Sequence, residues 1–88
     1  MFRLWGKIWK DNHMIKDTVI CDDSKDTRTH KIFHALQEIC YDFDLANPIW
    51  LDKTINDFKR HSKTRFYQDN FVETVNFDYL EIQVIEED

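Results

Sequence analysis

The clearest pattern in the chain is the alternation over Phe77-Asp78-Tyr79-Leu80-Glu81-Ile82-Gln83-Val84-Ile85. A period of two places Leu80, Ile82 and Val84 on one side of a strand and Phe77, Tyr79, Glu81 and Gln83 on the other. This is the strand on which the rest of the fold is expected to be built. Two further runs, Phe2 to Lys10 and His13 to Ile20, flank Asp11-Asn12. Asp and Asn tolerate the left-handed backbone that a two-residue hairpin turn demands. Counting outward from that turn sets Ile8 against Ile15, Gly6 against Asp17 and Leu4 against Val19, which with Phe2 form an apolar side. The opposite side then carries Arg3, Trp5, Lys7 and Trp9, facing Met14, Lys16, Thr18 and Ile20.

The period changes after a polar break at Cys21 to Asp26, where Ser24, Asp26 and Thr27 can each cap a helix and the acids suit its positive end. A helix is predicted from about Thr27 to about Phe43. Ile32, Phe33, Leu36, Ile39, Cys40 and Phe43 form its apolar stripe. Pro48 ends that segment, and Ile49, Trp50 and Leu51 pin the connection to the core. A shorter helix follows from about Asp52 to His61, capped by Asp52 and buried through Leu51, Ile55 and Phe58. Lys63 to Tyr67 reads as a third strand, with Thr64 and Phe66 on one face and Arg65 and Tyr67 on the other. Gln68 to Asn76 suits a helical turn or an extended segment. The order β-β-α-α-β-β predicts an α+β fold, residues 1–88 as one domain, with two helices packed on one face of an antiparallel sheet. Leu4, Ile8, Ile15, Val19, Leu80, Ile82 and Val84 are expected to supply that face.

Composition adds limits rather than a function. The 88 residues are 42% hydrophobic, enough for a core without disulfide or metal, and they include one Gly and one Pro, which argues against disorder. The first ten residues interleave Arg3, Lys7 and Lys10 with apolar residues, so they form neither a signal peptide nor a membrane span. A cytoplasmic location with no membrane partner is the expectation. Cys21 and Cys40 then read as buried thiols rather than a disulfide. The net charge of −5 disfavours indiscriminate nucleic-acid binding. Yet Lys59, Arg60, Lys63 and Arg65 crowd one acid-free run, while every charged residue from Asp69 onward is acidic.

Four features could carry chemistry. Trp5 and Trp9, flanked by Arg3, Lys7 and Lys16, form an aromatic and cationic surface suited to a protein contact or to base stacking. The plainer reading is a second small core, made with Phe77 and Tyr79 or covered by residues 68–76. The run Lys59-Arg60-His61-Ser62-Lys63-Thr64-Arg65 could hold phosphate. It sits at a helix C-terminus, however, which presents carbonyls rather than N–H donors, so solvated cations are the plainer reading. His30, His34 and Glu38 share a helix face but lack the H-E-x-x-H base or a further fixed ligand. The acids Glu86-Glu87-Asp88 could mimic a nucleic acid or simply guard an exposed strand. There is no glycine-rich phosphate loop, nucleophile–base pair or carboxylate dyad in the spacing, so an enzyme and a cofactor are not expected.

Arg60-His61-Ser62-Lys63-Thr64-Arg65-Phe66, Asp69-Asn70-Phe71, Phe77 to Asp88 and Leu4-Trp5-Gly6-Lys7-Ile8 together resemble a family of short, uncharacterised bacterial proteins. The resemblance implies a free-standing bacterial cytosolic protein and brings no activity or site residue. The expected function is a small binding or regulatory module. Its partner is another protein, or a second copy joined through a sheet edge, and its binding residues are Trp5, Lys7, Trp9 and Tyr79. A nucleic-acid module using Trp5, Trp9 and the cations Lys59, Arg60, Lys63 and Arg65 is the alternative.

Overall fold

Asp11 and Asn12 both take positive φ, 52° and 66°, and so close the two-residue turn between β1 (Phe2–Lys10) and β2 (His13–Asp22). The turn sets the first two pairs of the hairpin, Lys10 with His13 and Trp9 with Met14. Ile8 then pairs with Lys16, so Ile15 is the extra residue of a β-bulge. The bulge reverses the side taken by every later residue of β2. Ile20, not Val19, reaches the core, whereas Ile15 and Val19 are 50% and 40% exposed. The expected places of Ile15 and Val19 on the apolar face are thereby corrected.

The computed structural model describes residues 1–87. After the hairpin come α1 (Arg28–Asp42), α2 (Asp52–His61), β3 (Lys63–Phe66), a single 3-10 turn (Gln68–Asn70) and β4 (Tyr79–Glu86). This is the β-β-α-α-β-β order read from the sequence. All strand pairs are antiparallel, in the spatial order β2-β1-β4-β3. The closing strand therefore lies inside the sheet, bonded to β1 on one side and β3 on the other. Leu4, Ile8, Phe66, Leu80 and Ile82 face the helices and are 3% exposed or less. Burying a side chain of this size fully contributes about 1.5–3 kcal/mol. α1 closes over them with Ile32, Ala35, Leu36, Ile39 and Cys40, and its Ile39 meets the sheet at Gly6.

Each connection is tied to the core by a definite contact. Thr27 caps α1 by accepting from the His30 backbone N–H at 3.2 Å. Trp50 stands edge-on to Phe33, Phe58 and Phe66, with centroids 5.9, 5.7 and 5.0 Å away, and so joins both helices to β3. Asn70 is buried. It donates to Ile49 O at 2.8 Å and Thr54 Oγ1 at 3.1 Å, and accepts from Tyr67 N at 3.0 Å. Phe71 is buried behind it, and Val75 and Phe77 pack on the same core. Phe77 therefore lies on the helix side, not beside Tyr79 as the alternation predicted, because regular strand begins only at Tyr79.

Smaller expectations also change. Leu51, not Asp52, occupies the cap position of α2 and gives no side-chain cap bond; it is 43% exposed, and Thr54 and Phe58 are the buried residues. Ser62 ends α2 at φ 53°, a left-handed residue that lets the chain reverse directly into β3. Cys21 is exposed and Cys40 buried, both as free thiols. Burial, assisted by the Glu73 charge, pushes the Cys40 thiol up to about 12. Because the thiolate is the reactive form, the native protein should take up one equivalent of iodoacetamide, at Cys21, and two after denaturation. Mapping the native adduct by mass spectrometry checks this; prompt labelling of Cys40 would contradict the packing of α1.

Candidate functional site: the helix-free face of the sheet

β-strand alternation sends Trp5, Lys7 and Trp9 to the face opposite the helices. Strand pairing then brings β4 and β3 residues beside them. Trp9 pairs with Tyr79, Lys7 with Glu81 and Trp5 with Gln83; Arg65 and Lys63 continue the last two rows on β3. The hairpin register adds Asp17 beyond Lys7. Asp17, Lys7, Glu81 and Arg65 thus stand in one row across all four strands, with charge alternating in sign from edge to edge.

Glu81 is the centre of this face. It receives Lys7 Nζ at 2.9 Å on one carboxylate oxygen and Arg65 Nε at 3.0 Å on the other. Lys7 and Glu81 are 6% and 4% exposed although no helix lies over them. Neighbouring side chains bury them instead. Trp5 lies with its ring centroid 4.0 Å from Lys7 Nζ, and Tyr79 with its centroid 4.6 Å from the Arg65 guanidinium. Lys7 also donates to Gln83 Oε1 at 3.1 Å. Burial pushes the Glu81 carboxyl up, but the hydrogen bonds from Lys7 and Arg65 outweigh it and hold the group below its ordinary range.

Aromatic rings line the row. Trp9 stacks on Tyr79 at 6.3 Å and 29°, and Tyr67 leans on Tyr79 at 5.5 Å. Trp5 donates from Nε1 to Asp17 Oδ2 at 2.9 Å. Trp9 Nε1 is buried without a partner, a state that costs about 1–3 kcal/mol. Trp5, Trp9 and Tyr79 each remain partly exposed. Of residues 68–76, Phe71 and Val75 turn to the helix side rather than onto these rings. Trp9 therefore pairs across the sheet with Tyr79, whereas Trp5 meets Lys7 and Asp17, and Phe77 packs on the core instead; the partly exposed rings present an open surface.

Of the residues singled out from sequence, Trp5, Lys7, Trp9, Lys63, Arg65 and Tyr79 share this face. Lys59 and Arg60 belong to the last turn of α2, on the helix side, so the basic run is divided between two surfaces. Lys7 is enclosed by its ion pair rather than presented to a partner. A hollow of about 420 Å³ between α2 and β3 collects Lys53, His61 and Lys63, but also Asp57 and Asp69, and so has no single sign. His30 bonds Asp26, with Nδ1 2.9 Å from Oδ1, and among the described residues no three His, Cys, Asp or Glu side chains converge as metal ligands. Glu86 pairs with Arg3 at 2.9 Å and Glu87 pairs with Arg28; Asp88 lies outside the described residues. Among those residues, no helix is long and apolar enough to cross a membrane.

Glu81, Gln83 and Tyr67 also belong to the face, although none of the three was named as a binding residue; alternation had set the first two on the side of Tyr79. Tyr67 required knowing that β3 lies next to β4. Comparison with protein-family models, curated proteins and solved structures finds no match for the chain.

Proposed function

We propose that the chain is a small, non-enzymatic binding module that contacts another protein through its helix-free sheet face. The observation that carries this reading is the pairing of partly exposed Trp5, Trp9 and Tyr79 with a charge row already neutralised within the sheet. A partner docking there gains aromatic contact area, and Lys7 and Glu81 already hold each other. The same neutralisation weighs against nucleic acid. Lys7 and Arg65 are committed to Glu81, which leaves Lys63 as the basic residue of β3 free to meet phosphate on this face. A cytoplasmic setting is part of the proposal, and the two free thiols suit a reducing compartment.

The test is affinity capture with the wild-type chain and with Trp5→Ala/Trp9→Ala, both checked for folding by circular dichroism. Wild type should retain a discrete protein after nuclease treatment and at raised salt. The double variant should bind that protein at least about 30-fold more weakly, the loss typical of a Trp hot spot. Retention that disappears with nuclease and falls steeply with salt would instead support the nucleic-acid alternative. Equal capture by both forms would refute the role of this face.

A further inference from the structure

We infer that the free edge of β2 pairs with the β2 edge of a second copy, antiparallel about a two-fold axis at Val19. This inference is independent of the partner proposed for the Trp face. β2 is a terminal strand in the order β2-β1-β4-β3, so among the described residues one of its edges has no strand beside it. Natural edges of this length are shielded by bulges, prolines or covering segments. β2 has a bulge at Ile15, but only at the hairpin end. The stretch Lys16–Asp22 stays in regular register with β1 throughout, and contains no Pro or Gly. Val19, at the middle of that stretch, is 40% exposed.

Charge selects the register. Two antiparallel copies that continue one sheet must place a residue opposite itself on the two-fold axis, so the possible registers can be enumerated. Centring on Lys16, Asp17 or Asp22 opposes like charges. Centring on Thr18, Ile20 or Cys21 leaves Lys16 and Asp17 without an opposite charge in the strand. Centring on Val19 pairs the whole regular stretch and sets Lys16 directly opposite Asp22 of the second copy, twice by symmetry and on the same side of the sheet. Asp22 suits this role because the Ser24 side chain and backbone N–H hold its carboxyl below the usual range, keeping it ionised. The product is a continuous eight-stranded sheet in which the two aromatic faces adjoin.

Sedimentation equilibrium should give twice the chain mass of 10.8 kDa, falling toward monomer on dilution. In a Cys21→Ser background, Val19→Cys should form an intermolecular disulfide under mild oxidation, because position 19 meets itself. Thr18→Cys and Ile20→Cys should not do so alone but should cross-link to each other when mixed. Lys16→Asp should weaken dimerisation about tenfold by opposing two acids, and adding Asp22→Lys should restore it. These positions are exposed or half-buried, and circular dichroism checks that each variant folds. A monomer at every concentration overturns the inference, as does self-cross-linking at 18 or 20 but not 19.

Discussion

Glu81→Ala is expected to destabilise the fold by about 2–3 kcal/mol. Breaking a buried ion pair from one side costs about 3–5 kcal/mol in a deep interior, because the surviving charge is left unpaired. Here a single layer of side chains separates the pair from water, so the lower figure applies. Both Lys7, 6% exposed, and Arg65 lose their acceptor. In a domain of this size the change corresponds to a fall in Tm of about 8–24 °C. Glu81→Leu combined with Lys7→Met should lose less than the sum of the single changes, since the buried Lys7 charge is removed with its partner and only the half-exposed Arg65 loses an acceptor. Differential scanning calorimetry of the four proteins checks this, and strict additivity would refute a coupled pair.

The same carboxylate sets a pH dependence. Its folded pKa lies below the ordinary value of 4.5. Its stabilising contribution is therefore complete above the unfolded value and is lost as pH falls through the folded one. Wild type should lose stability below about pH 4.5 more steeply than Glu81→Gln, which has no charge to lose.

Gly6→Ala is expected to cost about 1–3 kcal/mol by overpacking. Gly6 is the single glycine of the chain, and here it serves close approach rather than a turn. A Cβ at this position would lie 2.6 Å from Ile39 Cγ2 and 2.9 Å from its Cδ1. Ile39 is fully buried and cannot swing away, so α1 must lift from the sheet or the side chain must leave its rotamer. Gly6→Val should exceed the upper figure. Gly6→Ala combined with Ile39→Ala should be more stable than the sum of the two single losses, because each relieves the other. Chemical denaturation of the four proteins measures that coupling, and its absence would show that α1 does not rest on Gly6.

Much of the architecture was legible because it depends on local periodicity. The 3.6-residue stripe of α1, the Asp11-Asn12 turn and the alternation of β1 and β4 each repeat a short-range rule many times. Errors arose where one residue interrupts a period. A single bulge at Ile15 exchanged Val19 for Ile20 in the core, and nothing in the alternation of His13 to Ile20 signals it. Phe77 failed similarly, because the alternating pattern ran past the residue at which pairing starts. The two bonds that Asn70 donates were invisible for another reason: their acceptors, Thr54 and Ile49, are 16 and 21 residues away.

The candidate face shows the same division. By alternation alone, the sequence determined that Trp5, Lys7 and Trp9 share one side of β1 and that Tyr79, Glu81 and Gln83 share one side of β4. It determined the fold class for the same reason. Only the tertiary structure decided that β4 enters the sheet between β1 and β3, and in which register. That insertion converts four separate charges into the row Asp17, Lys7, Glu81 and Arg65, buries Lys7 against Glu81, and leaves the rings of Trp5, Trp9 and Tyr79 at the surface. Register is a non-local quantity, shifted here by bulges in both pairings of β1.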